Sequence, residues 1–200
     1  MGRDTLLTVT LGDQTLLRRA LLVVAGSLFI ALAAQIAVPM WPVPVTLQTL
    51  AILLVGFAYG SRLGAVTVLA YLAQGFVGLP VFTPSTLPGL AALIGPTGGF
   101  LIGFVGLAWL AGFAAERGLA RGVLGTALAA IAASALLYVP GVLWPMAVAS
   151  AAGVDAGWAG QGLGFYAAHF VAPFLIGDVI KAVIAALVVS GAWAALRRKA

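Results

Sequence analysis

The chain has no cysteine, one histidine and five acidic residues among its 200 positions. Without cysteine there is no disulfide, no thiolate nucleophile and no cysteine-based metal site. One histidine and so few carboxylates also make a multi-ligand metal centre improbable, so no metal or cofactor is expected. Charge of either sign is scarce: 8% of the residues are charged and 63% are apolar, whereas a soluble domain is about a quarter charged. Too little polar surface exists to cover a water-soluble particle of this length, so the composition specifies a bilayer as solvent. The chain also lacks a G-x-x-x-x-G-K-[ST] loop, an H-E-x-x-H pair and a G-x-S-x-G elbow, which excludes ATP hydrolysis by the P-loop route and two common hydrolytic designs. The net charge of +5 is no sign of nucleic-acid binding. Its basic residues lie between apolar runs instead of forming one patch, the pattern that orients a protein in a membrane.

What is present is a series of apolar segments. A span needs about 20 apolar residues, at about 1.5 Å of rise each across a core of about 30 Å. Ala20–Val38 meets this, preceded by Arg18 and Arg19 and stopped by the proline-rich run 39–44. Shorter apolar stretches follow over Val45–Tyr59 and Leu63–Val77. Residues 80–99, rich in Pro, Gly, Ser and Thr, read as a long ordered loop. A fourth span covers Phe100–Ala115 and a fifth Gly122–Leu143, stopped by Trp144 and Pro145. After a glycine-rich connection, Gly153–Gly164, residues 165–172 read as an interfacial helix, and the last span runs from Pro173 to Leu196. The expected fold is an all-α integral membrane protein, a six-transmembrane-helix bundle forming one domain over residues 1–200. With both termini cytoplasmic, residues 1–19 and 197–200 lie inside. Arg18, Arg19, Arg62, Arg117, Arg121, Arg197, Arg198 and Lys199 then all fall on the inner side and no Lys or Arg on the outer, as the positive-inside rule requires. The run behind Arg18 and Arg19 is too long for a secretory signal core, so the first helix is expected to stay uncleaved.

Against this apolar background, polar residues stand out. Asp178 and Lys181 lie three apart in the last span, so they share one helix face. Opposite charges at membrane depth are unfavourable unless they pair or face a polar cavity, which makes them candidate ligand-binding residues. The alternative is a self-neutralising pair that locks the helix into the bundle. Gln48, early in the second span, offers a donor and an acceptor to an amide-like or urea-like ligand, or else an interhelical hydrogen bond. Tyr138, Gly141 and Trp144 recur every three residues near the outer end of the fifth span, either lining a pocket or forming part of the aromatic belt. The run Gly95-Pro-Thr-Gly-Gly99 opens the fourth helix. Its glycines permit close backbone approach, to a ligand or to a packed helix. His169 has no acid or nucleophile near it in sequence.

Five motifs in order resemble the BioY family, the biotin-specific substrate-binding components of energy-coupling factor (ECF) transporters. They are Pro42-Val-Pro-Val-Thr-Leu-Gln-Thr-Leu50, Gly78-Leu-Pro-Val-Phe82, Gly95-Pro-Thr-Gly-Gly-Phe100, Tyr138-x-x-Gly-x-x-Trp144 and Pro173-Phe-Leu-x-Gly-Asp-x-x-Lys181. The resemblance runs over residues 20–196. It implies a six-helix bundle in the cell's cytoplasmic membrane that captures biotin from outside and has no enzymatic activity. It implies as partners a transmembrane coupling protein carrying two cytoplasmic ATPase subunits, in keeping with the missing P-loop. Asp178 would accept from the urea N–H groups of biotin, and Lys181 would donate to the urea carbonyl or to the carboxylate. Gln48, Tyr138 and Trp144 would complete the pocket, with Thr97 and the backbone after Gly98 as further contacts and the 79–94 loop as a lid. Docking on the coupling protein would use small residues of the first helix: Ala33 and Ala37 have the spacing, and Ser27 and Ala31 form a more central pair. Two other function classes remain open: an ion-coupled secondary transporter of a small carboxylate or urea-like solute, with Asp178 carrying the proton, and an intramembrane hydrolase built on His169.

Overall fold

The computed structural model describes residues 5–12 and 14–198. Lys199, part of the expected basic tail, lies outside them. A short helix α1 (Leu6–Leu11) precedes α2 (Leu16–Gln35), α3 (Gln48–Tyr59), α4 (Ser61–Phe76) and α5 (Gly98–Glu116). Two long helices close the chain, α6 (Val123–Ala151) and α7 (Leu163–Arg197). Helices α2, α5, α6 and α7 are long and apolar enough to cross a membrane, while α3 has 12 residues and α4 has 16. The protein is an all-α membrane protein.

Helix α5 is the core of the bundle. Of its apolar window 61% is buried, against 22% for α2 and 28% for each of α6 and α7, so these three lie towards the outside of the bundle. Helix α5 packs on α3, α4 and α6, and α7 packs on α6 and α3. At the contact between α3 and α5, Gly56 lies against Ala108 and Ala111, and Leu53, Phe57 and Leu107 are buried in the same core.

The turn between α3 and α4 shows how glycine sets this packing. Gly60 has φ of 86°, and a Cβ on Gly112 of α5 would lie 2.2 Å from the carbonyl carbon of Gly60. Helix α5 therefore touches the turn backbone to backbone. That approach lets Glu116 reach the start of α4, where its Oε1 accepts from the N–H and the hydroxyl of Ser61, each at 2.8 Å. A carboxylate from a neighbouring helix thus satisfies an N-terminal donor and complements the positive end of the α4 dipole.

Several boundaries differ from the sequence expectation. The first helix ends at Gln35, and the next residues form a two-stranded antiparallel ladder in which Ala37 pairs with Thr46 and Val38 with Val45. Pro145 does not stop the fifth helix, nor does Pro173 begin the last one. Both lie at or beside π-helical turns, Trp144–Val148 and Ala167–Val171, through which α6 and α7 continue. A widened turn tolerates the absence of the proline N–H, so each helix continues through it. The interfacial segment 165–172 is consequently the opening of α7.

Candidate functional site

The last helix carries Asp178 and Lys181 on one turn, as their spacing predicts. Lys181 Nζ lies 3.5 Å from Asp178 Oδ1, and the side chains are 8% and 16% exposed. Both line a cavity of about 590 Å³, its open mouth included. The pair is held from other helices as well. Tyr138 of α6 donates its hydroxyl proton to Asp178 Oδ2. Lys181 donates to Thr49 Oγ1 of α3 at 2.9 Å. Each charge keeps further hydrogen-bonding capacity: the carboxylate has unused lone pairs and the ammonium a third donor. The arrangement is a satisfied ion pair beside open space, suited to a ligand that presents both donors and acceptors.

Opposite Lys181, α3 begins with Gln48 and Thr49 because the β-ladder ends at Thr46 and turns the chain inward. The Gln48 amide N–H₂ donates to Tyr71 Oη at 2.7 Å, and Tyr71 donates onward to the carbonyl of Val81 at 3.2 Å. One of the two amide N–H donors is therefore engaged, which leaves the carbonyl oxygen and the second N–H as its remaining hydrogen-bonding capacity. The same relay fixes the segment after α4, whose Phe82, Thr83 and Thr86 line the cavity. Gln35 adds a second tie from α2, donating to the carbonyl of Phe82 at 3.0 Å.

Aromatic rings supply the apolar wall. Phe100 of α5 meets Tyr138 edge-on at 6.2 Å and Phe174 at 6.3 Å. Phe82 meets Tyr71 edge-on at 5.6 Å. With Phe104, Leu101 and Leu137 these make a mostly hydrophobic chamber with a few convergent polar groups, the usual design of a small-molecule site.

Of the residues singled out in the sequence, Asp178, Lys181, Gln48, Tyr138 and Thr97 come together around this cavity. Gly98 and Trp144 do not line it. A Cβ on Gly98 would sit 2.7 Å from Trp144 Nε1, and one on Gly99 would sit 2.1 Å from the carbonyl oxygen of Pro140. The two glycines form a notch at the start of α5, and α6 seats Trp144 in it. The buried indole Nε1 has no hydrogen-bond partner among the described residues. The expected docking residues are not an outward stripe either. Ser27, Ala31 and Ala33 are 0%, 9% and 8% exposed. Ser27 Oγ accepts from Gln74 of α4 at 2.9 Å. Ala37 has left the helix for the β-ladder, so it does not continue a helical face with Ala33. His169 also lies off the cavity, its ring stacked on Phe165 at 4.3 Å with Nδ1 3.0 Å from the Phe165 carbonyl oxygen.

Thr49, Tyr71, Thr83 and Phe100 also line the cavity, and none of them stood out in the sequence. Thr49 adjoins Gln48 and carried a usable signal, since both fall on the first turn of a helix that opens on a polar site. The others are ordinary residues in apolar segments and loops and gave none.

Residues 5–198 match the model of the BioY family. The chain belongs to the BioY family. Family members similar to it include "Biotin transporter BioY" of Rhodobacter capsulatus, 36% identical over 175 residues, which are 82% of this chain and 86% of that protein. "Probable biotin transporter BioY" of Pyrococcus horikoshii is 33% identical over 167 residues, covering 81% and 90%. "Biotin transporter BioY2" of Lactococcus lactis is 45% identical over 93 residues, spanning 46% of this chain and 50% of that protein. Among solved structures, the S-component for biotin from an ECF-type ABC transporter superposes with a TM-score of 0.70 at 23% identity, covering 94% of this chain and 96% of that one. That likeness shows that the two chains share a fold.

Proposed function

We propose that this chain takes up biotin as the substrate-binding component of an ECF-type transporter, by binding and not by catalysis. The observation that carries the reading is the ion pair Asp178–Lys181 lining a mostly apolar cavity. Biotin has two urea N–H donors, a urea carbonyl, a thiophane ring and an apolar chain ending in a carboxylate. Asp178 accepts from the urea N–H groups, and charge-assisted bonds of this kind are about twice as strong as neutral ones. Lys181 donates to a ligand oxygen, the Gln48 carbonyl accepts from a remaining N–H, and Phe82, Phe100 and Phe174 cover the apolar parts. Biotin is the cargo, and no cofactor takes part. The names of the relatives point to the same ligand.

The energy source is assigned to partners: a transmembrane coupling protein with two cytoplasmic ATPase subunits, assembled in the cytoplasmic (inner) membrane. In this proposal α3 and α4 complete a six-span bundle with both termini in the cytoplasm. The lack of any native cysteine gives a clean background for testing that topology. A single cysteine at Leu119 should react with a membrane-impermeant maleimide only from the cytoplasmic side, and one at Gly157 only from outside. Reversal of either result would overturn the orientation.

The decisive experiment on the ligand is to purify the protein in detergent from cells grown in rich medium and identify the bound small molecule by native mass spectrometry. Biotin at about one equivalent is the expected result. A protein that carries none and does not take up added biotin would end the proposal. An ion-coupled carrier is separated from this reading by uptake in cells treated with an uncoupler while ATP is maintained, where the ECF reading requires uptake to persist.

A further inference from the structure

A second chamber adjoins the first. It is formed where the 40–44 segment faces residues 85–87 and 95–97, and it holds about 510 Å³ with its open mouth included. Pro44, Thr86 and Thr97 line both chambers, so they stand at the boundary between them. The remaining wall includes Met40, Trp41, Ser85 and Leu87, and none of its lining residues is charged. Asp178 and Lys181 belong to the first chamber alone. Ligand leaving the first chamber towards the second therefore moves away from the ion pair and past threonine hydroxyls.

Ser85, Thr86 and Thr97 make no side-chain hydrogen bond to the described residues; at Thr86 only the backbone N–H is engaged, by the carbonyl of Thr83 at 2.8 Å. A neutral wall with free hydroxyl donors and acceptors suits an amide, which needs one of each and brings no charge. It does not suit a carboxylate, which would meet no cation there.

We propose that the second chamber is an extension subsite for secondary amides of biotin, in which the group joined to the valerate carbonyl passes between Thr86 and Thr97 while the urea head stays at Asp178. Accepted substrates then include biotin linked through its carboxyl group to an amine, as well as the free acid. This rests on the biotin reading above, and the test separates the two. Titration of the purified protein with biotin and with N-butyl biotinamide measures both affinities. The amide is expected to bind within about tenfold of biotin, which is about 1.4 kcal/mol. Ser85→Trp and, separately, Leu87→Trp place an indole in the second chamber only. Each should weaken the amide by at least about tenfold and leave biotin within about twofold. Biotin binding with the amide weaker by more than about tenfold in the unaltered protein overturns the subsite and leaves the biotin reading intact. So does equal weakening of both ligands by both tryptophan variants. Failure of both ligands to bind the unaltered protein overturns the biotin reading itself.

Discussion

Replacing Asp178 with asparagine keeps the shape of the side chain and removes its charge. In the intact site Asp178 Oδ1 faces Lys181 Nζ at 3.5 Å and Oδ2 accepts from Tyr138. At that separation and an effective dielectric of about 20, the attraction of the ion pair is about 5 kcal/mol before desolvation is counted. Desolvation of two largely buried groups offsets most of it, so the pair contributes little net stability, yet breaking it from one side leaves an unpaired ammonium. The amide N–H₂ can face Tyr138 only if the tyrosine hydroxyl turns from donor to acceptor, and facing Lys181 it would set donor against donor. For the ligand, the change removes an ionised acceptor, and hydrogen bonds to charged groups contribute about 1.5–3 kcal/mol. Asp178→Asn should therefore raise the Kd for biotin by about 10- to 150-fold. The measurement is a calorimetric titration of purified protein, with Asp155→Asn as the comparator because Asp155 is exposed in the connection before α7. A folded Asp178→Asn protein that binds biotin within about twofold of the unaltered one would refute the assignment of the ion pair as the ligand anchor.

Other residues give independent tests. Lys181→Ala should weaken biotin binding by about tenfold or more by stranding the Asp178 carboxylate, whereas Arg198→Ala, at the exposed end of α7, should leave the same titration unchanged. Tyr71→Phe removes the hydroxyl between Gln48 and the Val81 carbonyl and leaves buried groups unpaired; a loss of about 1–3 kcal/mol should appear as a lower thermal midpoint, with biotin still binding but more weakly. Gly112→Ala puts a Cβ 2.2 Å from the backbone of Gly60. It should lower the midpoint or the yield of folded protein, while Gly106→Ala, which meets nothing within 4 Å, should change neither.

The route from sequence to site was unequal for different residues. Asp178 and Lys181 were legible because a charge in an apolar span has few places to go, and the one-turn spacing fixed their common face. Tyr138 followed from its depth and its spacing. Trp144 shared that spacing but lies behind the wall, because the Gly98–Gly99 notch on another helix takes up the indole. The small-residue pattern at Ser27, Ala31, Ala33 and Ala37 was legible as spacing. Its direction depended on what packs against α2 and on where that helix ends, and Gln74 and the β-ladder decided those. Proline at 145 and at 173 read as punctuation, and only the three-dimensional path revealed π turns that carry the helices through.

Composition and the order of apolar segments by themselves determined the solvent of this protein, its helical class, its lack of a nucleotide-hydrolysing loop and the one turn where buried charge needed a reason. These are properties of single segments in a medium of low dielectric, and each can be read without knowing its neighbours. Tertiary structure alone decided which neutral residues join that charge. Threonine, phenylalanine and tyrosine are common in membrane helices and loops, and they become one cavity wall only when distant parts of the chain bring Thr49, Tyr71, Thr83 and Phe100 together. Which way a side chain faces is set by the helix packed against it, and that information is not local.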